Sequence, residues 1–128
     1  MKILLDTCAF LWWMTDPERV PPRLLSRLRD PANRVLLSAA TGWEIAVKHA
    51  LGRLTLTEPV PAFIARATAD HALEILPIAM THAIRSGTLP FHHRDPFDRL
   101  LIAQAEIERV PIATPDRAYR TYGVRLLW

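Results

Sequence analysis

Cysteine is all but missing from this chain. The one thiol, Cys8, has no partner for an internal bridge, so nothing suggests an oxidising compartment and a cytoplasmic setting is expected. Long apolar runs are missing as well: no stretch approaches the ~18 consecutive apolar residues of a membrane helix. The opening Met1–Leu5 has one positive charge but stops at Asp6, too short for a secretory signal. A soluble protein without membrane contact is expected. No repeat, low-complexity tract or linker interrupts the sequence, which is expected to form one domain over residues 1–128. Several chemistries lack their signatures too. No Ser-His-Asp or Cys-His arrangement offers a protein nucleophile. His92 and His93 are adjacent, so their side chains point apart, and no Cys or His stands at a zinc-like spacing from them.

What is present is globular in balance: half the residues are hydrophobic and 23% are charged. A net charge of +3 is compatible with a nucleic-acid partner without requiring one. The apolar runs Lys2–Leu5, Arg34–Leu37, Leu73–Leu76, Val110–Ala113 and Val124–Leu127 read as strands. Helical patterns occupy the intervals: Ala9–Met14, Arg23–Arg29, Ala39–Leu51, Pro61–His71, Thr81–Ser86 and Phe97–Glu108. Ser38 is placed to cap the third of these. Asp95 is placed to cap the last, with Pro96 at its first position. Strands alternating with helices predict an α/β fold with a mainly parallel sheet, whose ligands gather at the carboxyl ends of the strands.

Four acids fall at that edge. Asp6 ends the first strand, Asp116 lies just past Ala113, Glu44 is in the second turn of its helix and Asp98 in the first turn of another. Clustered carboxylates with retained water suit Mg²⁺. Two such ions ~3.5–4 Å apart can activate water and stabilise the leaving oxygen of a phosphodiester. Each acid also has an ordinary explanation. Glu44 and Lys48 form an i,i+4 surface pair, Asp98 favours the helix dipole, and Asp116 is a solvated turn residue. Asp6 is harder to explain away, because a charge ending a buried strand needs pairing, water or metal.

These residues carry a resemblance. Leu4-Leu5-Asp6-Thr7, Ser38 to Lys48 around Trp43-Glu44, His92 to Ala105 around Asp95-Pro96-Phe97-Asp98, and Ile112 to Asp116 occur in order over nearly the whole chain. Together they resemble the motifs of PIN-domain toxins of the VapC type. The resemblance implies a three-layer α/β/α fold and Mg²⁺- or Mn²⁺-dependent endoribonuclease activity, with Asp6, Glu44, Asp98 and Asp116 as the metal-binding catalytic acids. Asp6 and Asp98 would hold the principal ion, and Thr114 would orient water or metal. It also implies a VapB-type antitoxin partner, an RNA substrate, and a homodimer or toxin–antitoxin hetero-oligomer. Two positions depart from the pattern: Cys8 stands where many relatives have histidine, and Pro115 precedes Asp116.

Other residues bear on the same edge. Arg94, Arg99, Arg117, Arg120 and Arg125 are expected on a basic face that meets phosphates. Trp12 and Trp13 lie in a helix apolar on nearly every side, which reads as core or as a docking surface for the antitoxin. A phospho-receiver domain is a rival α/β reading, but the adjacent acids after strand one and the late lysine are not in place. A non-catalytic RNA-binding or regulatory PIN-like module remains the alternative.

Overall fold

The computed structural model describes residues Met1–Trp128. Its centre is a five-stranded sheet of β1 (Lys2–Leu5), β2 (Arg34–Ser38), β3 (Glu74–Leu76), β4 (Ile112–Ala113) and β5 (Leu126–Leu127), in the order β3-β2-β1-β4-β5 with every neighbour parallel. Around it run α1 (Thr7–Thr15), α2 (Pro22–Arg29), α3 (Ala39–Ala50), α4 (Val60–Asp70), α5 (Met80–Thr88) and α6 (Pro96–Glu108). No helix is long and apolar enough to cross a membrane.

Strand alternation sorts the core into two layers. Ile3, Leu5, Val35 and Leu37 face one way, against Phe10, Trp13, Leu24, Leu28 and Phe63. Leu4, Leu36 and Ile112 face the other, against Leu100, Leu101, Ile102 and Tyr119. The central strands are therefore covered on both faces, which is why they read as unbroken apolar runs. Strand order reverses direction between β1 and β4. Such a switch point opens a crevice at the carboxyl ends of the two strands.

The expected elements are all present, with shifted ends. β4 starts at Ile112 rather than Val110 because α6 is still being capped there. Arg109 adopts the left-handed region at φ 56°, and the Val110 amide donates back to the Ala105 carbonyl. Leu73 is held out of β3 in the same way: Ala72 has φ 50° and the Leu73 amide donates to the Thr68 carbonyl. β5 is shorter than expected, pairing only at Leu126 and Leu127. Gly87 lies inside α5 instead of ending it.

α1 resolves the question of the two tryptophans. Trp13 is core, 3% exposed, with its ring 4.7 Å from that of His71. Trp12 is half-buried against Trp128, under the Arg19 guanidinium. Only one of the pair is therefore available to a partner.

Candidate functional site

Asp6 ends β1 and caps α1. Its Oδ1 accepts the Ala9 amide at 2.6 Å and its Oδ2 accepts the Thr114 hydroxyl at 2.5 Å. The side chain is almost wholly buried. That burial raises its carboxyl to about 7, outweighing the two hydrogen bonds, and the neighbouring Asp98 and Asp116 push in the same direction. Thr114, also buried, accepts the Asp116 amide at 3.0 Å. One hydroxyl thus ties the end of β1 to the turn after β4. Asp116 caps the 3₁₀ turn Arg117–Tyr122, its Oδ1 accepting the Ala118 amide at 2.9 Å.

α6 brings Asp98. Asp95 caps this helix as expected, accepting the Phe97 and Asp98 amides at 2.9 and 3.1 Å. Asp98 is thereby aimed at the crevice, where its Oδ1 accepts the Tyr119 hydroxyl at 2.6 Å. Burial raises the Asp98 carboxyl to about 6, with the charge of Asp95 adding to it against the tyrosine hydrogen bond. Tyr119 is held well above its usual range, first by burial and then by the charge of Asp98.

α3 supplies Glu44, whose Oε1 accepts the Thr7 hydroxyl at 2.6 Å while its Oε2 pairs with Lys48. The i,i+4 pair with Lys48 is formed, but Glu44 is buried rather than on the surface, and Lys48 lines the cleft beside it. Asp6, Glu44, Asp98 and Asp116 line one cavity of about 450 Å³, together with Lys48 and Tyr119. Cys8 lines it too. Burial and then the charge of Asp6 push its thiol up to about 11, so it is a poor nucleophile. Pro115 does not displace Asp116 from the group.

His93 was not among the expected site residues. Its Nε2 lies 3.2 Å from Asp98 Oδ2 and 3.4 Å from Asp116 Oδ2, and the three groups offer ligand atoms within 4.8 Å of one another. Zinc-like spacing was the wrong signal to look for, because its partners are carboxylates. The usable signal was its place two residues before the helix cap Asp95. His92 turns the other way, its ring 5.3 Å from that of Tyr122.

Arg99 corrects the expected basic face. It is buried and donates to the carbonyls of Ser86, Leu89, Pro90 and His93 at 2.8 to 3.2 Å. It fastens the loop that carries His93 to the helix that carries Asp98, its donors spent on backbone carbonyls. Arg94, Arg117, Arg120 and Arg125 are exposed as expected.

A parallel α/β domain with carboxylates converging on its switch-point crevice is the class that fold and site define. The sequence pattern of the PIN domain family matches residues 3–124, and the chain belongs to that family. No curated protein matches it. Among solved structures, a chain of VapBC2 from Rickettsia felis, bound to a DNA fragment from their promoter, is 15% identical. The match covers 99% of this chain and 98% of that one, with a TM-score of 0.75. DNA-bound VapBC from Salmonella typhimurium gives 17% identity, 99% and 97% coverage and a TM-score of 0.71. FitAcB from Neisseria gonorrhoeae gives 22%, 98% and 96%, and 0.65. At these identities the likeness is one of fold.

Proposed function

We propose that this chain is a divalent-metal-dependent endoribonuclease, the toxin half of a VapC-type toxin–antitoxin pair. One observation carries the reading: four acids from distant segments, Asp6, Glu44, Asp98 and Asp116, are gathered in one crevice, and burial raises the carboxyls of Asp6 and Asp98 to about 7 and 6. Burial without a cation works against ionisation, so this cluster is built to receive positive charge. The carboxylate oxygens fit Mg²⁺ or Mn²⁺, and Asp98 and Asp116 with Asp6 behind them would hold it, with the His93 imidazole beside them.

When bound, the metal supplies a lowered water pKa at neutral pH and charge to stabilise the leaving 3′ oxygen. The protein's own groups fix the geometry. Thr114 and the Ala9 amide hold Asp6, Tyr119 holds Asp98, and Arg99 holds the His93 loop. Lys48 keeps Glu44 at the wall of the cleft, where it would orient water. Exposed Arg94, Arg117 and Arg120 offset the acidic charge for an approaching phosphate backbone. No protein nucleophile is needed, and hydrolysis leaves a 5′-phosphate and a 3′-hydroxyl.

A VapB-type antitoxin would restrain the enzyme by laying a helix near Trp12 and sending an arginine into the acidic crevice. The assembly would be a homodimer or a toxin–antitoxin hetero-oligomer. The alternative, a non-catalytic RNA-binding or regulatory PIN-like module, keeps the fold but gives the acids no chemistry. Incubating purified protein with total RNA, with and without Mg²⁺, and sequencing the new 5′ ends separates the two. We expect discrete Mg²⁺-dependent cuts that disappear in Asp6→Asn and Asp98→Asn. Equal cleavage by both variants overturns the site assignment, and no cleavage by wild type favours the alternative.

A further inference from the structure

Beside the acidic crevice the fold leaves a large aromatic ring uncovered. Trp43 on α3 is 51% exposed, and its ring meets Phe97 of α6 at 4.6 Å with planes inclined by 70°. Each of the two directly precedes a site acid in sequence, Trp43 before Glu44 and Phe97 before Asp98. Neighbouring residues on a helix project about 100° apart, so both rings stand on the faces next to those that point their acids into the cleft. The pair therefore sits on the seam between the two helices that wall the site. The edge-on contact with Phe97 braces the indole while leaving half its surface open.

We infer that Trp43, braced by Phe97, is a stacking platform for an unpaired nucleobase adjoining the phosphate held at the crevice. The inference rests on the ribonuclease reading above and adds a positioning residue to it: the ring that would seat the base next to the bound phosphate. A phosphodiester seated among the carboxylates carries its neighbouring nucleotide out of the cleft, across one wall or the other. At the α3–α6 wall that nucleotide meets an indole, and an aromatic face accepts any base. A base engaged in a duplex offers no open face.

The test is binding of a fluorescein-labelled 12-nucleotide RNA of mixed sequence, single-stranded or annealed to its complement, with Ca²⁺ replacing Mg²⁺. Trp43→Ala, Trp43→Leu and Trp43→Phe are compared with wild type, alongside melting temperature and oligomeric state. Loss of one stacked base corresponds to roughly a tenfold weaker Kd. We expect that loss in Trp43→Ala and Trp43→Leu for the single strand, less than about threefold in Trp43→Phe, and little change for the duplex. Leucine is the decisive variant, since it preserves apolar contact and removes the π face. Wild-type binding and cleavage by Trp43→Leu overturns the platform and leaves the ribonuclease reading standing. Dissociation of an oligomer by Trp43→Ala that Trp43→Leu restores assigns the ring to a protein interface instead. A wild-type protein that neither binds nor cuts RNA overturns both.

Discussion

Asp6 caps a helix, ends a strand and faces two other acids, and these roles pull its carboxyl in opposite directions. Burial wins, raising it from 3.8 to about 7. The folded state therefore holds the proton more tightly than the unfolded chain does, and ionising Asp6 costs stability. That cost is absent below about pH 4, grows through the interval, and is complete above about pH 7. In metal-free buffer, Asp6→Asn is expected to gain stability relative to wild type as pH rises from 4.5 to 8, read from urea unfolding at each pH. A constant difference across that range contradicts the burial argument. Asp6 was legible in the sequence because an acid terminating an apolar run is costly anywhere. His93 was not legible, since its partners Asp98 and Asp116 are brought to it only by tertiary folding.

At the scale of elements, the loop over residues 89–95 is tied down from two sides, by Arg99 and by the Tyr122 hydroxyl, which accepts the His93 amide and donates to the Pro90 carbonyl. Arg99 satisfies four of the carbonyls around this loop from below. Replacing it with methionine keeps the stem but takes its donors away from those carbonyls. Arg99→Met is expected to lower unfolding free energy by about 2–4 kcal/mol. It is also expected to reduce RNA cleavage even where the protein remains folded, because His93 loses one of its anchors. Cleavage by folded Arg99→Met at the wild-type rate shows that the loop holds its place without Arg99. α1 gives a second prediction. Trp13→Ala opens the core and costs about 3–5 kcal/mol. Trp12→Ala leaves the fold largely intact and weakens antitoxin binding, as paired melting and affinity measurements read out; wild-type affinity in Trp12→Ala moves the docking surface elsewhere. Periodicity located both helices but could not rank the two tryptophans, because α1 is apolar all round. Strand and helix positions were legible for the same reason that their ends were not. Apolar runs report burial, and Val110 and Leu73 are buried yet spend their amides on closing helices.

Over the whole molecule, the site is a repulsive arrangement held together by the sheet. Mg²⁺ binding only the folded state is expected to raise stability by about 2.7 kcal/mol at a hundredfold excess over its Kd, a melting shift of roughly 10 °C. EDTA reverses it, and an Asp6→Asn/Asp98→Asn double variant lacks it. An equal response in that variant assigns the metal effect to surface charge. The α/β class and the four acids could be read from the sequence. Their meeting at one crevice follows from the β1–β4 pairing, which no local pattern encodes. That pairing has a consequence for how the protein comes into being. Asp6 leaves the ribosome more than a hundred residues before Thr114 and Asp116, and the strand they follow must dock beside β1. A nascent chain shorter than that has acids but no assembled crevice. The crevice thus assembles only once β4 has emerged and docked beside β1, and until then the acids stand apart.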